Sequence, residues 1–152
     1  GQLCWGITAS DGPGPAVQRL NGRKIKFHAY LARAVPFGPD DGTLSPWAVA
    51  ASLPFAPEIV LPTLRRMNED YPEITSKYGF KCSYNPSFRA DGKRGWVSQG
   101  YYGLDQGPIV MMIENYRSGM IWRIMRRCPY IVNGLRRAGF SGGWLGESRT
   151  AQ

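Results

Sequence analysis

A single histidine, His28, stands in a chain of 152 residues. No other nitrogen or thiolate ligand gathers near it in sequence, so a metal centre is not expected, and His28 reads as structural. The three cysteines, Cys4, Cys82 and Cys128, lack CxxC spacing, which excludes a zinc cage and a thioredoxin-like motif. Their odd number leaves at least one thiol unpaired, and ordinary packing is the expected role. No long apolar run exists. The longest, Ile109 to Ile113, falls far short of the roughly 20 residues that a membrane helix needs. Membrane insertion is therefore not expected. No phosphate-cradling glycine loop is present, and no cofactor is expected. A signal peptide is also missing, but the sequence opens on Gly1 rather than Met, which predicts a processed, engineered or truncated chain.

Acidic residues are scarce as well: 11 against 19 Lys and Arg, for a net charge of +8. Such a surface could hold nucleic acid or an acidic polymer. The basic residues, however, fall in amphipathic helical patterns (Arg123 to Arg127, Arg136-Arg137) without an RNP, homeodomain or zinc-finger signature. They read as solvated helix faces, and no nucleic-acid partner is expected. Apolar content of 43% with 20% charged residues fits a globular domain with its own core.

What is abundant is glycine, proline and aromatic residues. Residues 1–44 read as loop with strand-like pieces, and Lys24 to Leu31 alternates as a short hairpin strand would. From Ser45 the pattern turns helical: Ser45 as N-cap, Pro46 at the first position, then Trp47 to Leu53 without charge. Pro57 opens a second helix to about Asp70, with Ile59, Val60, Leu61, Leu64 and Met67 on its apolar side. Aromatic residues then crowd a loop from 71 to 103. In the next helix Asp105 is a candidate cap and Pro108 lies in the first turn. Ile109, Met112, Ile113 and Tyr116 follow at i, i+3, i+4 and i+7, and Val110 and Met111 make the other side apolar too. Gly119 breaks the pattern, Met120 to Arg127 continue it, and Pro129 starts a last helix that Gly139 ends. Uncharged helices at 46–53 and 108–118, expected to be buried on all sides, thus alternate with basic amphipathic ones at 57–70 and 129–138. Inner helices wrapped by outer ones predict an α/α toroid or a two-layer helical array.

Gly139-Phe140-Ser141-Gly142-Gly143 satisfies the GxSxG pattern of a nucleophile elbow. A helix precedes it and His28 lies upstream, so the pattern is dismissed. The remaining chemistry lies in acids at loop-to-helix junctions. Glycoside hydrolysis commonly uses two carboxyl groups, with aromatic residues as sugar platforms. Asp11, Asp41 and Asp105 sit in glycine-rich settings flanked by Trp5, Trp47 and Tyr102. Each acid could equally be a cap or an Asx-turn, and Asp105 could do both. Glu114 and Arg117 are spaced for an i,i+3 ion pair. In so apolar a helix they and Asn115 also suit a polar cavity.

Four stretches resemble the glucoamylase-like family of bacterial α/α-toroid proteins: WGITASDGPG at 5–14, DGTLSPWAVAASLPFAPE at 41–58, GLDQGPIVMMIENYRSGMIWRIMR at 103–126 and CPYIVNGLRRAGFSGGWL at 128–145. The resemblance implies a mainly α fold, part (about half) of an (α/α)6 toroid, with long aromatic-rich loops and a short β-hairpin. It implies that residues 1–152 are the C-terminal part of one such domain. Relatives include endo-β-1,2-glucanases and domains of cyclic β-1,2-glucan synthases. The implied function is glycoside hydrolysis of a β-glucan, including a β-1,2-linked one; the alternative is a non-catalytic glycan-binding domain of the same fold. Asp11 and Asp105 are carried over as catalytic candidates, the main proton donor belonging upstream. Trp5, Asp41, Trp47, Tyr102, Gln106, Glu114, Asn115 and Arg117 are carried over as substrate-contacting candidates. The expected partner is an oligo- or polysaccharide, met in the periplasm or outside the cell by an intact monomer.

Overall fold

In the computed structural model, residues 3–90 and 92–146 are described. The chain divides into two compact units, Gly1–Ile113 and Glu114–Gln152. In chain order the elements are β1 (Ala9–Ser10), β2 (Ala16–Leu20), β3 (Arg23–Phe27), β4 (Leu31–Ala32), α1 (Pro46–Ala50) and α2 (Pro57–Asp70). Then come β5 (Thr75–Ser76), β6 (Gly79–Phe80), β7 (Tyr84–Ala90), β8 (Lys93–Val97), α3 (Gly103–Ser118), α4 (Met120–Arg127) and α5 (Pro129–Arg137).

In the first unit, short antiparallel strand pairs accompany α1, α2 and the first part of α3. β2 and β3 form the hairpin expected near residue 24, turning at Asn21-Gly22, where both residues have positive φ. β1 pairs with β4, bringing Ser10 opposite Leu31. The hairpin β7–β8 lies in the stretch read as loop. Its alternation is hidden because Pro86 follows Asn85, whose side-chain oxygen accepts the N–H groups of Ser87 (2.9 Å) and Phe88 (3.0 Å) and bends the strand out of register.

α1 is shorter than the span 46–53, ending at Ala50 and continuing as turns. Leu53 precedes Pro54, which disfavours helical backbone there. Pro46 takes its first position as expected, but the Ser45 hydroxyl makes no cap bond; instead the Ser45 N–H donates to the Gly6 carbonyl at 2.9 Å. α2 runs unbroken through Pro62. Its buried line is Val60, Thr63 and Met67, whereas Ile59 and Leu61 are exposed. α1, α2 and the β7–β8 hairpin share one core of Leu44, Val49, Leu53, Val60, Met67, Ile74, Tyr84 and Val97. Each such side chain contributes about 1.5–3 kcal/mol by leaving water. Burial pushes the Tyr84 phenol above its usual range.

α3 begins at Gly103, five residues before Pro108, so Asp105 sits inside its first turn rather than capping it. The Tyr102 carbonyl accepts the N–H groups of Asp105 (3.0 Å) and Gln106 (3.2 Å). The apolar all-round pattern of α3 does not translate into burial here. Ile109 is buried, but Leu104, Val110, Met111, Ile113 and Tyr116 are exposed. Uncovered apolar side chains along one helix are what a toroid wall shows where further helices would pack.

In the second unit Gly119, with φ 65°, separates α3 from α4. The Asn115 side-chain oxygen accepts the Trp122 N–H at 3.1 Å across that break. Neither α4 nor α5 buries a described residue completely. The Arg126 guanidinium lies 5.7 Å from the Trp144 ring centre, so Trp144 is anchored as a turn residue behind α5. Ser141 follows that helix, a setting in which no nucleophile elbow forms.

Candidate functional site

The first unit holds a cavity of about 430 Å³, walled by Thr8, Ala9, Asp11, Tyr30, Trp47, Cys82, Tyr102, Leu104, Asp105 and Pro108. Five separate segments build it. The residue after β1 is Asp11, the β3–β4 connection delivers Tyr30, α1 delivers Trp47, the β6–β7 connection delivers Cys82, and the start of α3 delivers Asp105, with Tyr102 just before it.

Asp11 is held by the far end of the unit. Its Oδ2 accepts the Tyr102 hydroxyl at 2.9 Å and the Ser98 hydroxyl at 3.1 Å, and its carbonyl accepts the Ser83 hydroxyl at 2.7 Å. The hydrogen bond to Asp11 raises the Tyr102 phenol above its usual range, because that bond needs the phenolic proton. The Tyr102 ring lies against Gly100, where a Cβ would come within 2.6 Å of it.

Asp105 is 6% exposed. Its position in the first turn of α3 favours the carboxylate through the helix dipole. Burial outweighs this, and with the nearby Asp11 charge raises its pKa above the ordinary carboxylate value, against a lowering hydrogen bond from the Cys82 thiol. Among the described residues, Asp105 Oδ2 has no hydrogen-bond partner, and neither has the indole N–H of Trp47. Two walls of one cavity thus each carry a buried polar atom whose hydrogen bond must come from elsewhere. The Cys82 thiol is pushed up to about 12 by burial and by the two carboxylates, and does not ionise at neutral pH.

Among the expected site residues, the structure brings Asp11, Asp105, Trp47 and Tyr102 together at this cavity. It does not bring Asp41 there. Asp41 is buried against Arg33, whose Nε and Nη2 reach its carboxylate oxygens at 2.7 and 3.0 Å. The Asp41 carboxylate also accepts the N–H groups of His28 and Thr43, both at 3.1 Å. Although burial works to raise its pKa, this set of donors holds it down to about 2. Arg33 spends its other N–H groups on the carbonyls of Ser10, His28, Ala29 and Leu31. Asp41 is therefore the anchor of the loop that carries Tyr30, its carboxylate engaged by Arg33 and by two backbone N–H groups. This anchor leaves no room beside Gly12, where a Cβ would lie 2.2 Å from the His28 carbonyl oxygen and 2.3 Å from the Arg33 guanidinium. Gly12→Ala should cost at least about 1–3 kcal/mol, read as a lowered urea midpoint with an unchanged slope.

Trp5 also lies elsewhere: its indole N–H donates to the Thr63 hydroxyl at 2.9 Å, and its ring packs on the core. Gln106 donates to the Phe80 carbonyl at 2.7 Å, bracing the β5–β6 turn. Glu114, Asn115 and Arg117 belong to the second unit. Glu114 pairs with Arg117 at 3.7 Å and accepts the Ser118 hydroxyl, as its helical spacing allowed. Asn115 is buried at the α3–α4 break. Sequence reasoning missed Cys82 and Tyr30, since neither sits in a periodic pattern that would aim it. His28 contributes its backbone to the Arg33–Asp41 anchor, in keeping with a structural role.

A mainly helical chain with an aromatic-sided cavity that two carboxylates line falls in the class of α-toroid domains. The chain belongs to the family described as "Putative glucoamylase", which matches residues 1–129. It is 28% identical over 138 residues to an exo β-1,2-glucooligosaccharide sophorohydrolase of Parabacteroides distasonis, covering 90% of this chain and 16% of that protein. Among solved structures it is similar to an endo-β-1,2-glucanase from Chitinophaga pinensis in complex with sophorotriose and glucose, at 32% identity and a TM-score of 0.71, over 95% of this chain and 30% of that one. A glucoamylase-family protein from Bacteroides uniformis gives 35% identity and a TM-score of 0.69, over 96% and 30%. The chain thus spans about 30% of these solved relatives and 16% of the curated one.

Proposed function

We propose that this chain is the C-terminal wall of a glucoamylase-like toroid whose cavity hydrolyses a β-glucan, and specifically a β-1,2-linked one. One observation carries the reading: Asp105 Oδ2 and the Trp47 indole N–H have no hydrogen-bond partner among the described residues, and both side chains line the cavity that also holds Asp11 and Tyr102. A sugar ring offers hydroxyls to such groups and an apolar face to the Trp47, Tyr30 and Tyr102 rings. The names of the relatives support the substrate class, since they are hydrolases of β-1,2-linked glucose chains.

Hydrolysis needs a proton donor for the leaving oxygen and a group that activates water or attacks the anomeric carbon. Asp105, with its pKa raised by burial, keeps its proton to higher pH than an ordinary carboxyl. Asp11, fixed by two hydroxyl donors, presents an oriented charge. A further carboxyl group from the upstream part of the toroid completes the machinery, and the protein works as a monomer in the periplasm or outside the cell.

The test is an assay of the intact protein for reducing ends released from β-1,2-glucan, laminarin and starch. Release from β-1,2-glucan above the other two is expected. A folded protein that releases nothing from any of them would overturn the reading.

A further inference from the structure

Two hydroxyls converge on one oxygen of Asp11. Ser98, which follows β8 and is 1% exposed, donates to Oδ2 at 3.1 Å, and Tyr102, just before α3, donates to the same oxygen at 2.9 Å. The direction of the Ser98 bond is fixed, because its Oγ also accepts the Gly100 N–H at 3.1 Å. The main chain around Asp11 is held without the carboxylate. The Ser83 hydroxyl donates to the Asp11 carbonyl at 2.7 Å, and the Ser83 carbonyl accepts the Ser98 N–H at 2.9 Å. The two bonds to Oδ2 come on top of a backbone that is already tied.

Asp41 shows what a structural acid looks like in this fold. Its Oδ1 accepts from Arg33 Nε and the Thr43 N–H, and its Oδ2 from Arg33 Nη2 and the His28 N–H, so both oxygens are filled. Asp11 receives both side-chain donors on one oxygen, and both donors are neutral. We infer that Ser98 and Tyr102 are positioning residues that hold Asp11 by Oδ2 and present Oδ1 to the ligand. Their effect on rate rests on the hydrolytic reading of the cavity; the bonds themselves do not. Hydroxyls suit the task. A neutral donor aims a carboxylate without the counter-charge of a guanidinium, whose stronger bond would make the carboxylate a poorer base or nucleophile. Tyr102 also turns its ring to the cavity, so one side chain both lines the site and aims the acid beside it.

The experiment uses the intact protein with Ser98→Ala, Tyr102→Phe and Tyr102→Leu, and β-1,2-glucan as substrate. Ser98→Ala and Tyr102→Phe each remove one hydroxyl. Each is expected to lower kcat roughly tenfold to a hundredfold with KM changed less than about twofold, because the carboxylate loses its aim. Tyr102→Leu removes the ring as well and should also raise KM. Folded Ser98→Ala and Tyr102→Phe with unaltered kcat would overturn the inference, as would a rise in KM alone. A merely structural pair predicts lost stability at constant kcat.

A second measurement is independent of turnover. With isotope-labelled tyrosine, the phenol titration of Tyr102 is followed by NMR, its signal assigned by its loss in Tyr102→Phe. The titratable groups around this phenol are Asp11, Cys82 and Asp105. Asp11→Asn should move the titration to lower pH, since the charge that holds the phenolic proton is gone. Ser98→Ala should move it to higher pH, because Tyr102 is then the one hydroxyl left on Oδ2. A titration that neither variant moves would show that the two hydroxyls do not share Asp11, whatever the cavity does. Absence of turnover with both shifts present would sink the hydrolase reading and keep the positioning.

Discussion

Asp105→Asn in the intact protein is expected to lower kcat on the proposed β-1,2-glucan substrate by at least about 100-fold, the range lost when a positioned acid or base is removed. The fold should not suffer. The raised pKa means that the folded state binds the Asp105 proton more tightly than the unfolded chain does. Its contribution is therefore fully present below the ordinary carboxylate range and is lost as pH rises through the raised value. Ionising this buried carboxyl costs stability, and the neutral amide removes that cost. Thermal unfolding at pH 7 should show a midpoint for Asp105→Asn equal to or above that of the unaltered protein. Full activity in the variant would exclude Asp105 from the chemistry. A marked fall in the midpoint would show that Asp105 is a structural acid like Asp41.

The opposite signature is expected of the Arg33–Asp41 pair. Both side chains are almost fully buried, with 0% and 1% exposure. Removing one partner leaves the other charge uncompensated, so Arg33→Met and Asp41→Asn should each cost about 3–5 kcal/mol in urea unfolding. The two losses should not add in the double variant, because the second change removes a charge that already has no partner. With Asp41 held at about 2, its contribution is present above the ordinary value near 3.9 and drains away as pH falls toward 2. Asp41→Asn should therefore flatten acid unfolding across that window. A cost below about 1 kcal/mol in the single variants would mean that the loop from His28 to Thr43 is not fixed by this pair.

Helices were legible where proline and periodicity agree. Pro57, Pro129 and the Gly119 break placed α2, α5 and α4 to within a residue. α3 starts earlier than Pro108 suggested because Tyr102, not Asp105, supplies the carbonyl that opens it. The β7–β8 hairpin was illegible for a different reason. Asn85 satisfies backbone groups with its own side chain, so the stretch carries no alternation to detect.

Within the site, sequence separated chemistry from structure only in part. Asp11, Trp47, Tyr102 and Asp105 were readable as acids and rings at loop junctions, and they do meet. Asp41 had the same local appearance, yet its role is set by Arg33, which no periodic pattern connects to it. Trp5 is decided in the same way by Thr63, 58 residues away. Side-chain roles fixed by distant partners leave no local trace.

The ties between Asp11 and the 83–102 stretch have one more consequence, which concerns the order of folding. The Tyr102–Asp11 bond closes a separation of 91 residues, and the Ser98 and Ser83 bonds close 87 and 72. Contacts so far apart in the chain carry a higher entropic cost of closure than local ones and are expected to form after the local hairpins and α2. The acidic floor of the cavity therefore does not exist in a partly folded chain. Any species able to grip a sugar through it has already brought the two ends of this unit together.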